Sequence, residues 1–122
     1  NNSMQSTTAG KQLELTAAME QYVEKKLSNL EKFFDRIQKA VVTLGMETRH
    51  HQKGEIFYAE CKMDVPGADL FGKKTGKDIY SAIDFLRDEL EAELKKYKQK
   101  LRGNEKKSKT IARGNKEYQP EE

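Results

Sequence analysis

The sequence predicts an α+β fold: a two-layer β-α-β-β-β-α sandwich with two helices packed on one face of a four-stranded sheet. Three observations carry this. Two long segments place apolar residues three and four positions apart, the period of a helix with one buried stripe. Between them lie runs in which apolar and polar residues alternate, the period of a half-buried strand. Two helices with one apolar stripe each can cover the single apolar face of an antiparallel sheet, leaving its other face to solvent.

In chain order, Met4 to Leu15 is polar, with little apolar alternation, and reads as a first edge strand only through Gln5, Ser6, Thr7 and Thr8. Thr16 is suited to cap a helix. After it, Met19, Val23, Leu27, Leu30 and Phe34 form a stripe that Tyr22 and Phe33 widen, so a helix of about five turns is expected. From Lys39 to Thr48, Ala40, Val42, Leu44 and Met46 fall on one side. From Glu55 to Val65, Phe57, Ala59, Cys61 and Met63 do the same, while Tyr58 faces away. Pro66-Gly67 marks a turn, and Leu70 to Thr75 reads as the last strand. Asp78 caps a final helix whose stripe is Ile79, Ala82, Ile83, Leu86, Leu90, Leu94, Tyr97 and Leu101. Gly103 is expected to end it, giving roughly 24 residues, or about 36 Å.

Residues 4–102 therefore read as one α+β domain and 103–122 as a flexible charged tail that cannot bury enough apolar surface to order alone. Asn1-Asn2-Ser3 ahead of Met4 is left out of the fold. Hydrophobic and charged residues each make up 35% of the chain, the first low and the second high for a globular domain. Net charge is only +3, so its distribution matters more than its total. From Lys95 to Lys116 there are ten basic residues and one acidic residue, Glu105, a local excess that creates a positive field. The lone Cys61 cannot form an intramolecular disulfide and fits a reducing compartment. With no apolar run of membrane-spanning length and no signal-peptide pattern, a cytoplasmic protein without a membrane partner is expected.

The basic end of the last helix is the strongest functional signal. One or two cations there would only complement the helix dipole. Lys95, Lys96, Lys98, Lys100 and Arg102 are five in eight residues, and like charges at these spacings repel. Such a cluster fits a polyanion, with RNA first. Lysines would act by contacting phosphates and releasing counterions, and Tyr58 is the better-placed base-stacking candidate. His50-His51 reads as a polar turn. Cys61, on a buried strand face, reads as inert. No metal-ligand spacing, nucleophile elbow or phosphate loop occurs. No enzyme, cofactor, metal or small-molecule substrate is expected.

Three segments also carry a resemblance. Gln12-Leu13-Glu14-Leu15-Thr16 with Ala17-Ala18-Met19-Glu20-Gln21-Tyr22-Val23, then Leu27-Ser28-Asn29-Leu30-Glu31-Lys32-Phe33-Phe34-Asp35-Arg36-Ile37, then Lys77-Asp78-Ile79-Tyr80-Ser81-Ala82-Ile83-Asp84 resemble, in matching order, the ribosome hibernation factors. That family includes the hibernation promoting factor and the ribosome-associated inhibitor A, also called sigma-54 modulation proteins. The resemblance spans about residues 4–102. It implies a fold like the double-stranded-RNA-binding domains and binding of ribosomal RNA in the decoding region of the small ribosomal subunit. It also implies silencing of translation under stress or in stationary phase. By that likeness, a chain monomeric when free would meet RNA through Lys25, Lys26 and Lys32 of the first helix and Arg87, Lys95, Lys98 and Arg102 of the second, with Lys73, Lys74 and Lys77 joining them. The polar first strand departs from the family's alternating pattern, so its pairing is expected to be weaker. The alternatives are a regulatory module that binds a protein, such as a transcription factor, and a general double-stranded-RNA binder.

Overall fold

The computed structural model describes residues 4–48 and 55–112. Its elements are β1 (Gln5–Lys11), α1 (Ala17–Glu31), β2 (Lys39–Thr48), β3 (Glu55–Val65), β4 (Ala68–Gly76) and α2 (Ile79–Ala112). The strands make one sheet in the order β1-β2-β3-β4. β2, β3 and β4 form an antiparallel meander, as the alternation predicts. β1 joins β2 in parallel, so the sheet is mixed and not wholly antiparallel. The intervening α1 makes this possible, since parallel neighbours need a long crossover.

β1 forms although its sequence gives little sign of it. The register sets Ser6, Thr8 and Gly10 beside Ala40, Val42 and Leu44, the helix-facing residues of β2. None of the three is a large apolar side chain, so backbone hydrogen bonds hold the strand more than burial does. Glu31 reinforces it by accepting from the Met4 N–H at 3.0 Å.

Thr16 caps α1 as expected, accepting from the Met19 N–H at 3.2 Å. The helix stops at Glu31, with Lys32 as its C-cap, earlier than the apolar stripe implies. This early end separates two adjacent aromatics. Phe34 turns inward and meets Tyr97 edge-on at 5.3 Å, whereas Phe33 stays 39% exposed. Between β3 and β4, Gly67 has φ 80°. Pro followed by a positive-φ glycine is the signature of a type II turn.

The core lies between the helices and the sheet. Leu30 of α1, Val42 and Leu44 of β2, Cys61 and Met63 of β3, and Leu90 and Leu94 of α2 are its largest fully enclosed side chains. Burial pushes the Cys61 thiol up to about 12, leaving almost no thiolate at neutral pH. Native protein at pH 8 is therefore expected to resist iodoacetamide and to be alkylated at Cys61 only once denatured. Alkylation of the native protein at the denatured rate would contradict this burial.

Asp78 caps α2, accepting from the Ser81 N–H at 2.9 Å. The helix then runs to Ala112, past the end expected at Gly103. One helical glycine costs only about 1 kcal/mol relative to alanine, and no proline follows until Pro120. Residues 113–122 of the expected tail, and His50-His51, lie outside the described residues.

Candidate nucleic-acid interface

α1 and α2 lie side by side and run in the same direction: Tyr22 meets Tyr80 and Asp84, Asn29 meets Arg87, and Phe33 meets Lys98. Three polar clasps fix their registration. At the first, Asp84 accepts from the Tyr22 hydroxyl at 2.8 Å and pairs with Lys26 at 3.2 Å. That carboxylate raises both the Tyr22 hydroxyl and the Lys26 ammonium above their ordinary values, chiefly by hydrogen bonding. At the second, Arg87 donates to the Asn29 side-chain oxygen Oδ1 through Nε at 3.0 Å and Nη2 at 2.5 Å. Its partial burial disfavours the charge, but bonds to Glu91 and Asp88 outweigh that and raise it overall. At the third, Lys98 donates to the Phe33 backbone carbonyl at 2.8 Å.

These clasps sort the cations read from the sequence. Lys26 and Arg87 sit between the helices and position them. Lys25, Lys32, Lys77 and Arg102 have no carboxylate partner among the described residues. Lys32 borders two open depressions. One, about 300 Å³, is shared with Lys25, Lys26, Ser28 and Asn29. The other, about 440 Å³, also receives Arg36, Lys98 and Arg102, against the carboxylates of Glu31 and Asp35. Lys95, exposed next to this group, pairs with Glu91 at 3.0 Å. Lys77 precedes α2 at its opposite end, about 30 Å along the axis from Lys98 at 1.5 Å per residue.

Lys73 and Lys74 do not join the cluster. Neighbouring strand residues point to opposite faces, so only one of them can share the helix side. Lys74 does, and is held by Glu89 at 3.5 Å. Lys73 lies on the open sheet face, 3.8 Å from Glu47 and 4.6 Å from the Tyr58 ring centroid. On that face Lys62 likewise pairs with Asp69, at 3.6 Å. The open face sets Lys11, Lys39, Lys62 and Lys73 against Glu47, Glu60, Asp64 and Asp69 and is charge-balanced, whereas Lys25, Lys32 and Arg102 lie along the helices without such balance. Tyr58 is on the open face as read but is only 7% exposed. Its ring covers Gly45, where any Cβ would collide with it, so it is not an accessible stacking surface. Arg36 is an addition: it follows α1 and lines the larger depression together with Arg102. Its only signal in the sequence was its closeness to Lys32.

Glu91 restrains the cluster. Hydrogen bonds from Lys95 and Arg87 hold its carboxyl below the usual carboxylate range. A depressed carboxyl contributes stability that is present above its unfolded value and lost as pH falls through the folded one. The same acidification would free Lys95 and Arg87. Glu91→Gln is therefore expected to elute from heparin at higher salt than the unsubstituted protein at neutral pH. Earlier elution would mean that Glu91 mainly positions the cations and does not compete for them.

This geometry belongs to a known group. The family model described as "Sigma 54 modulation protein / S30EA ribosomal protein" matches residues 7–102. The chain is 39% identical over 97 residues to a ribosome hibernation promoting factor of Azotobacter vinelandii, covering 80% of this chain and 85% of that one. Among solved structures, the Thermus thermophilus Protein Y N-terminal domain superposes with a TM-score of 0.63 at 32% identity, over 77% of this chain and 97% of that domain. A ribosomal subunit interface protein from Coxiella burnetii shares the fold with a TM-score of 0.70 at 22% identity, over 79% and 99% of the two chains.

Proposed function

The chain belongs to the family of the sigma 54 modulation protein and S30EA ribosomal protein, and we propose that it is a ribosome hibernation factor that docks on the small ribosomal subunit. The observation that carries this is the helix-side cation group: Lys25, Lys32, Arg36, Lys95, Lys98 and Arg102 gather on one surface, held in register by the Lys26 and Arg87 clasps. Such a surface meets phosphates and releases their condensed counterions. Phosphate contacts fix position and carry no sequence information, which suits a protein that recognises the shape of a structured RNA. Seated in the decoding region, it would occupy space needed by tRNA and mRNA and so silence translation without catalysis. Its place is then on cytoplasmic ribosomes. Among the described residues, no helix is long and apolar enough to cross a membrane.

A sucrose-gradient profile tests this. The protein is expected to migrate with small subunits and whole ribosomes at low salt and to be stripped as salt rises. Retention in a complex that survives nuclease and is indifferent to salt would instead identify a protein partner.

A further inference from the structure

We infer that Phe33 is a stacking platform for an unpaired nucleobase, so that this surface takes an extruded or single-stranded nucleotide as well as phosphates. The inference rests on the ribosome-binding reading above and names what that surface holds. Phe33 follows the end of α1 with 39% of its surface open. It stands outside the core, which Phe34 fills against Tyr97. Arg87 and Lys95 stand over its ring at 5.7 and 6.0 Å from the centroid. Both grip the carboxylate of Glu91, so the two cations lie close together beside the ring. Phe33 also lines the depression that receives Lys32, Lys98 and Arg102, and Lys98 anchors its carbonyl.

Surfaces for unpaired nucleic acid combine a cationic track for the backbone with an aromatic face for the base. Among the exposed aromatics of the described residues (Phe33, Phe71, Tyr80 and Phe85), Phe33 is the one with cations over its ring. Tyr97 is buried and donates to the Pro66 carbonyl. Tyr22 and Tyr80 are locked edge to face at 5.0 Å. Phe71, though 57% exposed, lies on the charge-balanced sheet face. Phe85 is exposed beside Asp88, Glu89 and Lys74, where Glu89 already pairs the lysine and Asp88 leaves a net negative charge.

The chain has no tryptophan, so Phe33→Trp installs a single fluorescent reporter where a base would stack. Phe33→Leu keeps an apolar side chain and removes the aromatic face. Both full-length variants are titrated with purified small ribosomal subunits over a range of salt, and the tryptophan variant also with a short single-stranded RNA and a duplex of equal length. Phe33→Leu is expected to bind subunits about tenfold less tightly with an unchanged salt dependence. Phe33→Trp is expected to bind like the unsubstituted chain, with its emission quenched by subunits and by the single strand but not by the duplex. Unchanged affinity in Phe33→Leu together with unquenched emission, while salt-sensitive subunit binding persists, would overturn the stacking role and leave the ribosome reading standing. If the unsubstituted chain fails to bind subunits at all, the ribosome reading falls and this inference falls with it.

Discussion

Replacing Lys32, Lys98 and Arg102 together by Glu is expected to abolish binding to small ribosomal subunits while the protein stays folded. The three side chains border one depression and lie outside the core; the change also removes the Lys98 clasp to the Phe33 carbonyl, so Lys32 and Arg102 replaced without Lys98 give the purely electrostatic comparison. Each phosphate contact contributes about 0.7–0.9 to the slope of log affinity against log salt. Losing three should flatten that slope by roughly two to three and lower affinity at least about a hundredfold near physiological salt. The matched control replaces Lys62 and Lys73 by Glu. Both sit on the opposite sheet face beside carboxylates, and this pair of changes should leave affinity within about twofold, because screening confines their effect to roughly a Debye length. Cosedimentation over a salt series distinguishes the two variants, and circular dichroism confirms that each is folded. If both variants lose binding equally, net charge matters and the helix surface does not.

The second large effect is on stability. Leu94 of α2 is fully buried in the core that Leu30, Leu44, Met63 and Leu90 also fill. Leu94→Ala removes apolar contacts and leaves a cavity that a helix packed against both α1 and the sheet cannot close. The expected loss is about 3 kcal/mol, within the usual 2–5 for such a change. In a domain of this size it corresponds to a melting temperature lower by roughly 12–24 °C. A thermal melt with a shift of only a few degrees would mean that this part of the core is loosely packed. The same variant should lose ribosome binding only where it has begun to unfold, which separates core effects from surface effects.

Much of this architecture is legible in the residues. β2 and β3 alternate cleanly, and their bounds follow from the pattern. Asp78 and Thr16 cap the helices because a short polar side chain there can satisfy an otherwise unpaired N–H. The failures have physical causes. β1 carries Ser6, Thr8 and Gly10 on its inward side, so its signal lies in backbone pairing that no side-chain pattern reveals. Phe33 fits the stripe of α1 by spacing, but the helix ends before reaching it, and the chain's new direction turns its ring outward. Gly103 looked like a terminator, yet a single glycine is too small a penalty to stop a helix already formed.

The site was legible in kind and not in detail. Cation density at the end of α2 pointed to a polyanion. Which cations are available depends on partners far away in sequence. Asp84 engages Lys26, Asn29 engages Arg87, and Glu47 engages Lys73. Arg36 became part of the surface because the turn after α1 carries it toward α2, a tertiary outcome that its neighbours in sequence do not encode.

The most direct test is site-specific photo-cross-linking to small ribosomal subunits from two positions on opposite sides of the molecule. One probe replaces Gln99, exposed on α2 beside Lys98. The other replaces Phe71, exposed on the open sheet face. The helix surface is expected to cross-link to small-subunit ribosomal RNA from position 99, with little or no RNA cross-link from position 71. Efficient RNA cross-linking from 71 and none from 99 would contradict the assignment of the RNA-binding surface to the paired helices.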